Sequence, residues 1–542
     1  MKYGFVIDNR KCIGCHACTT ACKSEHEVPV GVFRTWVKQV EKGVFPNTRR
    51  LFSVLRCNHC SNAPCVEICP VTALHTRADG IVDFDKNRCI GCKSCMQACP
   101  YDALYIDPDT HTAAKCNYCA HRVEIGLEPA CVVVCPEHAI ISGDMDDADS
   151  EISELLARNQ TTVRKPEKAT VPNLFYIDGD DFSLTPSAAG QPDGNLWSAQ
   201  TRGVGHYAKY TERMACQGED LVKTLLEKSG QAVEVPANEA FTPQKNIEVL
   251  TGKGAKRVYN APNKGILWGW EVPAYLTTKA IATGAFLLPL LALTLSHDSS
   301  LAGLLNGIWI SLVFLIATTA LLVKDLDQPK RFFYVLLRPQ WKSWLVRGGY
   351  TLTLYGGLLT LTGVAAFQSG NGVWNAVLPW AAYLTAIVAV VAAVYTAFLF
   401  AQARGRDFWQ SPLLPLHMLT HAFMAGGAIF ILLNTLGLAQ SGNFAAWVLL
   451  LSLGVNLLIL LAELSITHPT ADAKAVVQMI LKGPYRNRFW WAVMSGNVIP
   501  VLLLLMASPT PAVAIVLALL VIQGIYEVER IWVEAPQRVP LS

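Results

Sequence analysis

The amino-acid sequence predicts two physical regimes in one chain: an α+β domain organised around cysteine loops, then an all-α bundle of eight membrane-crossing helices. Two observations carry this. Sixteen of the 17 cysteines lie between Cys12 and Cys135, and from about Gly265 onward Leu, Ala, Val, Gly and aromatic residues dominate. Average composition therefore describes neither half. The shift divides the 542 residues into a cysteine domain (1–145), a connecting segment (146–265) and a membrane domain (266–542). The net charge of +3 is small, and no Lys/Arg run interleaved with aromatics points to nucleic acid.

Four groups emerge from the spacings: Cys12, Cys15, Cys18, Cys22; Cys57, Cys60, Cys65, Cys69; Cys89, Cys92, Cys95, Cys99; and Cys116, Cys119, Cys131, Cys135. The first and third have the C-x2-C-x2-C-x3-C spacing of bacterial ferredoxins, and Pro70, Pro100 and Pro136 follow the last cysteine of groups two, three and four. Three close thiolates can wrap one face of an iron–sulfur cube. The fourth, expected where a helix starts, reaches a neighbouring cluster, so the groups work in pairs. "PVTALHTRADGIVDFDKNR", with "GIVDFD" as a strand, joins groups two and three like the two halves of a two-cluster ferredoxin, which leaves one and four for each other.

The domain is thus expected to be ferredoxin-like, with tandem two-cluster modules, and sixteen cysteines provide for four 4Fe-4S clusters. Structural zinc takes four ligands from two CxxC pairs, and a repeated three-plus-one pattern with "CIGC" in groups one and three does not suit it. A secreted disulfide scaffold is usually short and led by a signal peptide. "MKYGFVIDNR" has no apolar stretch of signal length and no twin arginine, so no export signal of its own is expected. His16, His26, His59 and His121 are read as packing or solvated residues rather than as groups that tune potentials, and Cys216 as an ordinary free thiol.

On these motifs, residues 1 to about 145 resemble the four-cluster electron-transfer subunit of the dimethyl sulfoxide reductase family of molybdopterin enzymes. The resemblance implies nested ligand sets: Cys12, Cys15, Cys18 and Cys135; Cys22, Cys116, Cys119 and Cys131; Cys57, Cys60, Cys65 and Cys99; Cys69, Cys89, Cys92 and Cys95. It also implies a wire from a partner's molybdenum centre to a membrane subunit, with the first two clusters toward the partner.

The connecting segment is rich in Asp, Pro, Asn and Gly. It offers one amphipathic helix, "GEDLVKTLLEKSG", and is long enough for part of it to pack on the cluster domain or a partner. Beyond it come eight apolar stretches near the ~20 residues a bilayer requires. They are approximately 273–295, 302–323, 345–367, 376–400, 413–436, 444–465, 490–507 and 511–529. The connections after spans two, four and six carry Lys324, Lys330, Arg331, Arg338, Lys342, Arg347, Arg404, Arg406, Lys474, Lys482, Arg486 and Arg488, and the opposite loops carry no Lys or Arg. The positive-inside rule makes the basic side cytoplasmic, and with it both ends of the chain. An integral inner-membrane protein with its iron–sulfur domain on the cytoplasmic side is expected.

"WGWEVPAYLTTKAIATGAF", "DLDQPKRFFYVLLRPQWKSWLVRGGY" and "AELSITHPTADAKAVVQMILKGPYRNRFWWAV" resemble the polysulfide reductase NrfD family of eight-span membrane subunits. That resemblance implies no haem and electron exchange with a quinone beside the last cluster. A dihaem anchor needs four axial histidines on facing helices, and only His417 and His421 lie within a span, one turn apart. Polar residues in apolar spans are expensive and mark function. Those here are Glu271, Tyr275, Lys279, His417, His421, Glu463, His468, Glu527 and Glu529; the expected quinone residues are Tyr275, Lys279 and His417, while Glu463, Glu527 and Glu529 also suit interfacial helix ends.

The protein is therefore read as the electron-transfer and quinone-reactive anchor of a molybdopterin oxidoreductase, without an active site for a soluble substrate. Sulfite oxidation with quinone reduction suits a cytoplasmic placement. Polysulfide, thiosulfate, tetrathionate or dimethyl sulfoxide reduction, formate oxidation, and an ion-translocating conduit are the alternatives.

Overall fold

The computed structural model describes residues 1–44, 46–190, 255–261, 264–296, 301–370, 372–439, 443–506 and 510–542. Cys216 and the helix expected at "GEDLVKTLLEKSG" lie outside the described residues. The chain divides into two compact units, Met1–Leu267 together with Gln537–Ser542, and Trp268–Pro536.

In the first unit, β1 (Tyr3–Asp8) runs into the first cysteine group and β8 (Ile140–Asp144) leaves the fourth. They pair antiparallel, Phe5 opposite Ser142, so strands distant in sequence bring groups one and four together. The hairpin of β4 (Leu74–Thr76) and β5 (Val82–Phe84) joins group two to group three, and that of β6 (Tyr105–Ile106) and β7 (Ala113–Ala114) joins three to four. "GIVDFD" thus contains β5. A further sheet has the order β11 (Ala255–Tyr259), β2 (Thr35–Val44), β3 (Asn47–Arg56). From the connecting segment, β10 (Leu174–Ile177) lies parallel to β1, and β9 (Thr161–Thr162) pairs with β10, so part of that segment is built into the central sheet.

The cysteine groups carry short helices: α1 (Ala17–Glu25) in group one, α2 (Pro64–Ile68) in two, α3 (Ser94–Ala98) in three, and α4 (Ala120–Val123) and α5 (Ala130–Val133) in four. α1 packs on α5 and α2 on α3. The fourth cysteine does not begin a helix as expected. α2 and α3 stop one residue before Cys69 and Cys99 because the following prolines lack an N–H and disfavour helical backbone in the residue before them. Lys23 follows Cys22 instead, and α1 runs on to Glu25.

The second unit holds eight helices long and apolar enough to cross a membrane: Glu271–Leu295, Leu301–Lys324, Trp344–Phe367, Gly372–Gln402, Leu414–Thr435, Phe444–Ser465, Arg486–Met506 and Pro511–Gln537, numbered here as spans one to eight. Gln537 itself is grouped with the first unit. Span eight runs past its apolar stretch, and its last three turns, "VERIWVEAPQ", bury Glu529 and Glu534. Spans one and five form the centre, 83% and 78% buried against 28% for span two. A methyl group on Gly284 would collide with Ala422 and Gly426, so these two helices meet backbone to backbone. Gly496 and Gly524 bring spans seven and eight together in the same way.

Large apolar residues such as Trp309, Phe367, Trp380, Trp447 and Leu505 face outward, while Thr283, Ser311, Thr362, Thr385, Thr396, Asn456 and Asn497 are buried. Water-soluble bundles reverse this arrangement. In hydrocarbon the outside gains nothing from polarity, and the polar groups find partners within.

Candidate functional site

None of the sixteen motif cysteines is in a disulfide. The loops that carry them repeat one backbone device. The residue before the second cysteine of each group is left-handed: Gly14 (φ 71°), His59 (φ 43°), Gly91 (φ 70°) and Tyr118 (φ 62°). Such residues curl successive N–H groups toward a common concavity, a nest for negative charge. Glycine takes this conformation freely in groups one and three, whereas His59 and Tyr118 adopt it against their Cβ. Each is held by its ring: His59 Nδ1 accepts from Val82 N at 3.1 Å, and the Tyr118 hydroxyl donates to the Gly4 carbonyl at 2.5 Å.

A second repeat surrounds the fourth cysteines. "CPVTA", "CPYDA" and "CPEHA" each place a left-handed residue three positions on, at Thr72, Asp102 and His138. Backbone N–H groups of Val71, Ala73 and Leu74 then point at Cys69, those of Tyr101 and Ala103 at Cys99, and Ala139 N donates to Cys135 Sγ at 3.2 Å. The proline supplies the turn and, lacking an N–H, leaves the sulfur to the donors beyond it. The spacing of cysteines alone does not show this device; the shared C-P-x-x-A pattern would have.

Thiols far apart in sequence become neighbours. Cys18 interacts with Cys12, Cys131 and Cys135; Cys22 with Cys116 and Cys131; Cys65 with Cys57, Cys60 and Cys99; Cys95 with Cys92, Cys89 and Cys69 and, across to the neighbouring set, with Cys65. Burial opposes ionisation and, with repulsion between thiols adding to it, pushes Cys18 up to about 12 against the pull of Arg56 and Cys92 to about 12 against that of Ser94. Thiolates at these depths need positive charge beside them. The protein provides two buried cations. Arg56, the last residue of β3, donates from Nη1 to Cys131 Sγ at 3.0 Å, and Lys115 is fully buried beside Cys57 and Cys65. Together, the convergent N–H groups, grouped thiols and buried cations fit a set of anionic clusters.

Of the four histidines, His26 alone contacts a motif sulfur among the described residues, Nε2 lying 3.2 Å from Cys119 Sγ. Burial first, then Arg34 and His121, push it down to about 4, so it sits there neutral. His16 packs on Tyr259 and contacts Gln39, and His121 pairs with Glu25 at 2.7 Å.

In the bundle, Tyr275 and Lys279 are one turn apart on span one, and both are buried. Lys279 Nζ donates to Thr396 Oγ1 at 2.6 Å and lies 4.6 Å from the Tyr395 ring centre on span four. Tyr275 is beside the same Thr396, and Glu529 on span eight acts electrostatically on both. Glu529 Oε1 is 2.8 Å from His421 Nδ1, and the His421 and His417 rings are 4.4 Å apart. Spans one, four, five and eight thus gather the three expected quinone residues around one polar core, and Glu529, 5% exposed, belongs to it. Glu463 is also buried, accepting from Ser411 and Trp532, whereas Glu527 pairs with Arg488 at 3.4 Å. Glu271 opens span one 3.9 Å from Lys324, and His468 Nε2 lies 2.8 Å from the Glu463 carbonyl.

The family model described as polysulphide reductase, NrfD, matches residues 259–533. The chain belongs to the polysulphide reductase NrfD family. Models described as 4Fe-4S dicluster domains match residues 5–70 and 48–145 of this NrfD-family protein, so 4Fe-4S domains precede the membrane domain. Among curated relatives, a tetrathionate reductase subunit from Salmonella typhimurium is 46% identical over 201 residues, 36% of this chain and 80% of its own length. A polysulfide reductase component from Wolinella succinogenes is 43% identical over 181 residues, 32% of this chain and 94% of its own. Protein NrfC of Escherichia coli is 42% identical over 180 residues, 33% and 81% respectively. Each match spans about a third of this chain. The NrfD-family protein is an iron–sulfur electron-transfer domain fused to an integral membrane anchor.

Proposed function

We propose that this protein passes electrons between a separate molybdopterin catalytic subunit and the membrane quinone pool through four 4Fe-4S clusters. The proposed ligands are Cys12, Cys15, Cys18 and Cys135; Cys22, Cys116, Cys119 and Cys131; Cys57, Cys60, Cys65 and Cys99; and Cys69, Cys89, Cys92 and Cys95. The carrying observation is the neighbourhood of thiols within each set, across more than 100 residues of sequence in the first, Cys18 with Cys135. When bound, a cluster takes up and releases one electron at a time. The protein's own share is to hold thiolates, aim N–H groups at them and exclude water.

The first set supports the reading of an end that faces the partner. Cys15 is exposed, and so are Ile13 next to Cys12 in the chain and Val133 and Val134 just before Cys135. Exposed apolar residues on an electron-transfer domain suit a protein partner. The relatives named as reductase components favour electron flow from quinol to a reducible sulfur-type substrate over the sulfite oxidation that the charge bias suggests. For the quinone, Lys279 and Tyr275 would donate to one carbonyl and His417 would handle a proton, a role supported by its buried Nε2, which has no hydrogen-bond partner among the described residues.

Purification of the intact complex tests this. It should contain molybdenum and about four clusters' iron per copy of this protein, and oxidise a quinol analogue with tetrathionate, polysulfide or a sulfoxide as acceptor. Lys279→Met should abolish quinol oxidation and leave dye-driven reduction by the catalytic subunit intact. Unchanged quinol turnover would sink the site. For the inner-membrane, cytoplasmic placement, a reporter fused after Ser542 should be active only in the cytoplasm.

A second reading, an ion-translocating conduit, rests on the buried Glu529–His421 contact, which links the quinone residues to the interior of the bundle. If it holds, Glu529→Gln in vesicles lowers proton movement per electron without lowering turnover equally.

A further inference from the structure

Arg56 and Lys115 occupy the same place in two different cysteine groups. Each immediately precedes the first cysteine, Cys57 and Cys116, and each is completely buried. Their cations cross over. Arg56 Nη1 donates to Cys131 Sγ at 3.0 Å, and Cys116 and Cys18 are the other negative groups acting on it. Lys115 acts on Cys57 and Cys65, while its Nζ donates to the carbonyls of Val82 and, at 2.8 Å, Cys116.

Among the described residues, neither cation has an ordinary counter-ion. No described carboxylate lies within salt-bridge reach of Arg56, whose Nε and Nη2 are buried without hydrogen-bond partners while its guanidinium sits 4.5 Å from the Phe5 ring centre. A buried unpaired cation is strongly unfavourable. The balance closes when an anionic cluster sits beside it. We infer that Arg56 and Lys115 are a crossed pair of potential-setting residues: Arg56, from the second group, governs the cluster of Cys22, Cys116, Cys119 and Cys131, and Lys115, from the fourth, governs that of Cys57, Cys60, Cys65 and Cys99.

The sign follows from charge. Reduction adds one electron and one negative charge to a cluster, so a fixed cation a few ångströms away favours the reduced form and raises its midpoint potential. In a low-dielectric interior this effect is large. Both are positioning residues, because neither accepts the electron.

This inference rests on the proposed ligand sets, and one experiment separates the two. Iron and acid-labile sulfide content of the purified complex tests the sets: a wild-type protein short of four clusters would overturn them. Given four clusters, a dithionite titration followed by electron paramagnetic resonance should show Arg56→Gln lowering one midpoint and Lys115→Gln lowering a different one, with Arg56→Lys and Lys115→Arg close to wild type. Four unchanged midpoints in both Gln variants overturn the inference. So does a shift of the same single midpoint by both, or a charge-retaining variant shifted as far as its Gln counterpart. Where a Gln variant loses a cluster, the charge-retaining variant decides, an unshifted midpoint supporting the role of charge and a lowered one refuting it.

Discussion

The two units solve the problem of buried polarity in opposite ways. The cluster unit buries sulfur, guanidinium and ammonium groups, and it holds them with irregular backbone: left-handed residues, strands as short as two residues and, apart from the nine-residue α1, cysteine-bearing helices of four or five residues. The bundle has long regular helices and buries its polar side chains between them, with only the π-helical turns Ala292–Ser296 and Met494–Val498 interrupting the described spans. In water, irregular backbone at a site can be tied by turns and completed by a bound group. In hydrocarbon every backbone group must be satisfied locally, so helices carry the site and only side chains vary.

The largest effect that would sharpen this contrast comes from a ligand. On the proposed ligand sets, Cys131→Ser should remove one cluster and abolish quinol-dependent turnover; iron analysis checks the loss. Next comes a backbone-to-backbone contact of the bundle. Gly426→Val should cost about 1–3 kcal/mol or prevent assembly, since a side chain there strikes Gly284, and thermal stability in detergent measures it. A smaller change is expected for Asn456→Leu. Asn456 Nδ2 donates to Asn497 Oδ1 at 2.9 Å, across to the residue that the π-helical turn of span seven presents, and interhelical bonds in membranes are worth about 0.6–2 kcal/mol.

Smallest is a pH effect confined to the cluster unit. Arg10 donates to the Asp8 carboxylate at 2.7 and 2.9 Å, and this holds the Asp8 carboxyl below its ordinary value of 3.8. A depressed folded value stabilises the fold above the unfolded value and loses that contribution as pH falls through the folded one. Acid titration of stability should therefore be shallower below pH 4, by ~1 kcal/mol or less, in Asp8→Asn than in the wild type.

Much of the cluster unit is legible in the sequence because its chemistry is written in short range. Cysteine spacing, the Pro70, Pro100 and Pro136 stops and the "GIVDFD" strand are local features, and the pairing of groups two with three follows from a short connection. Arg56 and Lys115 escape notice there, since a basic residue before a cysteine looks ordinary until its side chain is seen to cross into the other module. The His26 contact is hidden for the same reason: Cys119 is 93 residues away. In the bundle, hydropathy shows the spans. It leaves Glu529 as a helix-end charge because the apolar stretch stops short of the helix.

The sequence by itself determined how many cysteine groups there are, where the membrane helices run and which loops are basic, all consequences of spacing or of transfer free energy summed along a window. Only the tertiary structure decided which individual side chains meet. β1 lies between β8 and β10, Arg56 reaches Cys131, and Lys279, Glu529 and His421 converge from three helices. Such contacts depend on the rotation and register of elements far apart in the chain, which neither composition nor periodicity specifies.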